Sequence, residues 1–207
     1  MSAGKGSKAR NNLSEEYRTH YDEIFRKSKL SPIKIFFDLD ECILHSMWGK
    51  SEIKESIGGI DDFVFNIGYE QYRTVIRPGA RECIAYAREQ VGADNVYVLT
   101  ASVKEYANLI NTTAELGFKT EQIFHRADIR EVVAKRQGSP EFRPCIIIDN
   151  LSYNDNMEKC YFLRIDYTDY QRVQNFYNDR TTDLDFITTV KAFIDRRIKH
   201  YADPTNR

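Results

Sequence analysis

Four short apolar runs set the rhythm of this chain. "IKIFF" (33–37), "NVYVL" (95–99), "CIII" (145–148) and "YFLRI" (161–165) are β-branched or aromatic and almost unbroken by polar residues. Strands buried on both faces of a parallel sheet read this way. Between them run segments of helical period. "PGARECIAYAREQVG" carries Ala80, Ile84, Ala87 and Val91 on one side, with Pro78 near its start and Gly92 as its stop. "SVKEYANLINTTAELG" opens on a Ser102…Glu105 capping box and closes at Gly117. "TDLDFITTVKAFIDRRIKHY" has a Thr182…Asp185 box, then Leu184, Ile187, Lys191, Ile194 and Ile198 at helical spacing. A further helix is expected from Ser14, with Tyr17, Tyr21, Ile24 and Phe25 along one face.

Alternating strands and helices predict an α/β fold, a doubly wound parallel sheet with right-handed crossovers. Residues 61–76, "DDFVFNIGYEQYRTVI", break the pattern. They alternate apolar and polar at period two around Gly68, as a hairpin does. Lying between the first parallel strand and the next helix, this hairpin is expected as a small flap over the strand ends.

Composition adds limits. A length of 207 residues suits one domain, here 13–207, and the 42% apolar and 29% charged residues are ordinary for a globular protein. The net charge of -1 gives no reason to expect nucleic acid or an anionic membrane as a partner, although Lys5, Lys8 and Arg10 make residues 1–12 a basic tail, expected to be disordered. No apolar run approaches the ~20 residues that span a bilayer, so a cytoplasmic protein is expected. Cys42, Cys83, Cys145 and Cys160 lack C-x-x-C spacing and are expected as buried free thiols. The four histidines are scattered rather than clustered as metal ligands.

In open parallel sheets, ligands bind at the carboxyl ends of the strands. Asp38 and Asp40 follow the first strand, Thr100, Ala101 and Ser102 the second, and Asp149 and Asn150 the third. Clustered carboxylates repel, by ~4 kcal/mol at 4 Å with an effective dielectric of 20, and a hard dication relieves this. Mg²⁺ favours carboxylate and carbonyl oxygens and is commonly shared with a substrate phosphate. One acid can attack phosphorus while its neighbour handles the proton, a hydroxyl can hold a phosphoryl oxygen, and a lysine is wanted for the transition-state charge.

"FFDLDECILHS" resembles the first motif of haloacid-dehalogenase-like phosphatases. The likeness is to the branch of small C-terminal-domain phosphatases and NLI-interacting-factor-like proteins, which read D-L-D-E-T-L-V-H-S there. "DDFVFNIGYEQYRTVIRPGARECI", "VYVLTASVKEYANLI" and "CIIIDNLSYND" are similar to that branch's hairpin and R-P-G segment, second motif and fourth motif, so that the resemblance covers about residues 33–200. It implies Asp38 as the nucleophile forming an aspartyl-phosphate and Asp40 as general acid/base, with Thr100 holding the phosphoryl group. It also implies Mg²⁺ bound by Asp38, the Asp40 carbonyl, and Asn150 or Asp149. Substrate binding would draw on Thr100, Ala101, Ser102 and a lysine. That lysine is expected at Lys135, with Arg126 and Arg130 as rivals. The family's Thr after D-x-D-x is Cys42 here.

The implied function is a Mg²⁺-dependent phosphatase for phosphomonoesters, with phosphoserine or phosphothreonine in a protein as candidate substrates. A catalytically silent binding or scaffold protein, and a phosphatase for nucleotides or nucleic-acid ends, are the alternatives. Trp48, Tyr69 and Tyr72 are candidates to line an entrance near the flap. Oligomeric state leaves no mark in the sequence.

Overall fold

The structure, a computed structural model, describes residues 33–48, 62–135, 142–176, 183–203 and 205. The basic tail and the helix expected from Ser14 lie outside these residues, as does Thr182.

Five parallel strands form the main sheet in the order β6-β5-β1-β7-β8. They are β1 (Lys34–Phe37), β5 (Val96–Leu99), β6 (Ile123–Phe124), β7 (Cys145–Asp149) and β8 (Tyr170–Arg172). The apolar runs are continuous because each strand serves two cores. Ile35, Phe37, Val96, Val98, Ile146 and Ile148 face one cluster, which also takes Ile84 and Ala87 of α1 (Ala80–Val91), Tyr106 and Ile110 of α2 (Lys104–Thr113), and Val190 and Ile194 of α5 (Leu184–Ala202). Phe36, Cys145 and Ile147 point the other way, toward Ile129 of α3 (Arg126–Ala134) and Phe162 and Leu163 of α4 (Met157–Leu163). Successive side chains of a strand alternate faces, so a strand covered on both sides must be apolar throughout.

"YFLRI" is not a strand. Its first three residues end α4, where Lys159, Cys160, Phe162 and Leu163 are buried and Tyr161 is exposed. A short apolar run fits a buried helix as well as a strand, and the flanking Lys159 and Cys160 complete a helical face. The strand position beside β7 is taken by β8 instead, with Ile147 opposite Tyr170.

The predicted hairpin forms as β3 (Asp62–Ile67) and β4 (Glu70–Ile76), turning at Gly68 with φ 61. It is part of a larger unit. β2 (Leu44–Trp48) pairs with the other edge of β4, giving a three-stranded antiparallel sheet in the order β2-β4-β3. As the central strand, β4 buries Arg73, Thr74, Val75 and Ile76 in succession. The small sheet packs on α2 through Phe65, whose ring lies 6.1 Å from that of Tyr106.

Helix ends differ from expectation where side chains have other work. α2 begins after Val103 with no side-chain cap, because the Ser102 hydroxyl is bonded to Asp40. The cap of α5 is Asp183, which accepts from the Phe186 N–H at 3.0 Å. Leu184, placed on the apolar row by its spacing, is 72% exposed, and Phe186, Val190, Phe193 and Ile194 make the buried face. Among the described residues, no helix is long and apolar enough to cross a membrane.

Candidate active site

Strand order turns around at β1: the chain builds outward through β5 and β6, then returns to lay β7 and β8 on the opposite side. Such a switch point leaves a crevice beyond the strand ends. Asp38, Thr100, Asp149 and Asn150 stand there, all buried.

Immediately after β1 the Asp38 N–H donates to the Ile148 carbonyl at 3.0 Å, so the sheet ladder still fixes this backbone. The chain then turns tightly. The N–H groups of Cys42, Ile43 and Leu44 all converge on the Leu39 carbonyl, and Glu41 takes a positive φ of 60. Leu39, Cys42 and Ile43 plug this turn into the core. Asp38 and Asp40 therefore sit on a turn rather than on an extended strand, and their environments diverge. At the family's threonine position, the Cys42 thiol donates to the Ile148 carbonyl at 3.5 Å; burial, then the Asp38 charge, pushes its pKa well above the ordinary thiol value.

Asp38 is held by charge. The Lys159 ammonium donates to Asp38 Oδ1 at 2.7 Å and to Asp149 Oδ2 at 2.8 Å. Burial, against the pull of Lys159, pushes the Asp38 carboxyl up to about 7, with the Asp149 charge adding to the rise. Burial alone would lower the Lys159 pKa, but Asp38 and Asp149 outweigh it and hold the ammonium protonated. Asp149 also accepts from the Leu151 N–H at 2.9 Å and from Asn156 Nδ2 at 2.6 Å.

Asp40 is held by neutral hydroxyls. Ser102 Oγ donates to its Oδ2 at 2.6 Å, and the Tyr106 hydroxyl donates to its Oδ1. Burial, followed by the Asp40 charge, pushes the Tyr106 phenol far above its usual range, so it keeps its proton.

One corner is lined by oxygen. Asn150 points one end of its amide at the Asp40 carbonyl, Asp38 Oδ2 and Asp149 Oδ1, each 3.2 Å away. With the amide turned one way, its NH₂ faces all three acceptors with two hydrogens to donate. Turned the other way, the amide oxygen faces three other oxygens, each at a distance close to the ~3.0 Å edge of an octahedron with 2.0–2.1 Å metal–oxygen bonds. Two carboxylates, a carbonyl and an amide oxygen are hard donors and fit a small dication. Among the described residues, no group of three or more His, Cys, Asp or Glu side chains comes together as a metal cluster. The fit here rests on the carbonyl and the amide as much as on the acids.

Thr100 follows β5 and is fully buried, and its Oγ1 accepts from the Ser102 N–H at 3.1 Å. Ala101 is exposed at the mouth, where its carbonyl accepts from Arg126 Nε at 2.5 Å. Lys135 is elsewhere: it follows α3, is 60% exposed, and pairs with Glu131 at 2.5 Å. The lysine that reaches Asp38 is Lys159. Sequence spacing missed it because "YFLRI" read as a strand, although a lysine on the buried face of the helix that this segment completes would have been a signal. Asn156 and Tyr106 were missed for a related reason, since each reaches its acid from a helix or turn rather than from a strand end. Of the entrance aromatics, Tyr69 is fully exposed at the hairpin turn and Tyr72 stacks on Phe65 at 5.4 Å. The Trp48 side chain lies outside the described residues.

Arg77, from the R-P-G segment, braces the turn after Asp40. It ion-pairs with Asp183 at 2.7 Å and donates to the carbonyls of Cys42 at 2.9 Å and Gln174 at 2.8 Å.

A doubly wound parallel sheet with an acid pair after its central strand and an antiparallel insertion beside it is the haloacid-dehalogenase-like architecture. The profile of the NLI interacting factor-like phosphatases matches residues 33–172, and the chain belongs to that family. Among solved structures it is similar to a variant of fission yeast RNA polymerase II CTD phosphatase Fcp1 bound to beryllium fluoride. Identity is 13% and TM-score 0.48, over 89% of this chain and 53% of that one. A second structure, of Fcp1 as an essential RNA polymerase II CTD phosphatase, gives 12% and 0.48, over 90% and 58%. The chain thus spans somewhat over half the length of those neighbours. A comparison with curated proteins gives no match.

Proposed function

We propose that this chain is a Mg²⁺-dependent phosphomonoesterase that works through an aspartyl-phosphate on Asp38, with phosphoserine or phosphothreonine in a protein as its substrate class. The observation that carries the reading is the different hold on the two acids: Asp38 is gripped by the buried Lys159, whereas Asp40 is gripped by hydroxyls.

The division of labour follows. Asp38 attacks phosphorus, and the bond to the leaving oxygen breaks as Asp40 gives that oxygen its proton. Water then attacks the phosphorus, Asp40 takes the water's proton, and the Asp38–phosphorus bond breaks to release phosphate. Lys159 opposes the effect of burial on the Asp38 carboxyl and stabilises charge on the transferring group. Thr100 Oγ and the backbone of Ala101 and Ser102 would hold phosphoryl oxygens. Asp38, the Asp40 carbonyl, Asn150 and Asp149 would hold Mg²⁺, which when bound offsets the carboxylate repulsion and draws charge from a phosphoryl oxygen.

A silent scaffold on the same fold would have no use for two acids held so differently. The test is turnover of p-nitrophenyl phosphate and a phosphoserine peptide with Mg²⁺, with Asp38→Asn as the control. Activity that survives Asp38→Asn rules out the aspartyl-phosphate; none across metals and phosphoesters rules out the enzyme.

A further inference from the structure

The geometry points to Tyr106 as a positioning residue that aims the Asp40 carboxylate and ties it to the small antiparallel sheet. This inference rests on the proposed phosphatase chemistry, because it concerns the delivery of the Asp40 proton.

Asp40 lies in a tight turn and is only partly buried, so nothing in its own backbone fixes its two side-chain torsions. Two hydroxyls from separate elements do so. Ser102, in the loop after β5, takes Oδ2, and Tyr106, one turn into α2, takes Oδ1. Among the described residues Asp40 makes no ion pair. Two hydroxyl donors orient the carboxyl through hydrogen bonds alone.

The Tyr106 hydroxyl is itself anchored. It lies 2.6 Å from Ser46 Oγ, and Ser46 Oγ lies 2.6 Å from Thr74 Oγ1. Ser46 and Thr74 are directly opposed in the β2–β4 register, and Thr74 is fully buried. The tyrosine ring is wedged 6.1 Å from both Phe65 and Tyr72 of the same sheet. In both Ser46 contacts either oxygen can be the donor. The chain Asp40–Tyr106–Ser46–Thr74 can therefore stay bonded whether Asp40 has its proton or has delivered it, with no heavy atom moving. The small sheet is thus part of the apparatus that aims the acid.

Aim matters most when the leaving group is poor. Tyr106→Phe keeps the ring and removes the hydroxyl. For an alkyl phosphate such as a phosphoserine peptide, kcat should fall about tenfold or more, with KM changed less than about twofold. For p-nitrophenyl phosphate, whose leaving group needs little protonation, kcat should stay within about threefold. In an Asp40→Asn background, Tyr106→Phe should cause no further loss. Ser46→Ala, one bond farther out, should give the same selectivity at smaller size, and carries the test if Tyr106→Phe fails to fold. Equal losses on both substrates, or a further loss in the Asp40→Asn background, overturn the inference while leaving the phosphatase reading intact. If the wild-type protein turns over neither substrate, that reading fails first. The contact is then decided by NMR: a Tyr106 hydroxyl proton protected from exchange, lost in Asp40→Ala, supports it, and a wild-type spectrum without one overturns it.

Discussion

Removing the Lys159 ammonium tests the electrostatic account most directly. Lys159→Met keeps the length and apolar stem of the side chain and deletes its charge. Nζ lies 2.7 Å from an oxygen of Asp38 and 2.8 Å from one of Asp149, so those two oxygens are within 5.5 Å of each other. At an effective dielectric of 20, each contact attracts by about 6 kcal/mol, and the carboxylates repel by about 3 kcal/mol at that separation. Desolvation of the buried ammonium cancels much of the attraction, and removing one member of a buried ionic group typically costs about 3–5 kcal/mol. For a chain of this size that is a Tm loss of about 6–20 °C, read by calorimetry without metal. Mg²⁺ should then raise the Tm of Lys159→Met more than that of the wild type, since two uncompensated acids await a cation. Turnover should fall at least a hundredfold, as loss of a transition-state charge partner does. Lys135→Met, which removes an exposed pairing with Glu131, should leave Tm and turnover unchanged. A Tm within about 2 °C of wild type for Lys159→Met, or equal effects for the two lysines, would refute the claim that Lys159 neutralises this acid pair.

Other outcomes follow from the packing. Arg77→Lys should lower stability by about 3 kcal/mol, because a point ammonium cannot replace a planar fork that gives Asp183 two nitrogens, serves two carbonyls with a third and stacks on the Phe186 ring 4.1 Å away; urea unfolding measures it. Gly79→Ala should lower the Tm by several degrees. Its φ is 84, and a Cβ would meet Ile187 Cγ1 at 2.4 Å, so the backbone would be strained and α1 pushed off α5. All four cysteines are free and buried, and burial pushes Cys83, Cys145 and Cys160 up to about 12. A thiol reagent at pH 8 should therefore find no fast-reacting cysteine in the native protein and four after denaturation.

Much of the architecture is legible in one dimension. A strand covered on both faces must be apolar at every position, so β1, β5 and β7 announce themselves, and the residues that follow each of them fall at the same edge. Asp38, Asp40, Thr100, Asp149 and Asn150 follow from that rule alone. The same rule misled at 161–165, where an unbroken apolar run belongs to a helix, and this error hid Lys159. Partner choice was also hidden. Ser102 reads as a helix cap until Asp40 competes for its hydroxyl, and Leu44–Trp48 does not read as a strand until β4 offers an edge. Which lysine meets Asp38, and which hydroxyls meet Asp40, depends on elements far apart in sequence: 121 residues separate Asp38 from Lys159, and 66 separate Asp40 from Tyr106. Periodicity reports the face a residue presents, because burial acts on each position by itself. Pairing depends on two positions at once, and only the packed chain brings them within reach.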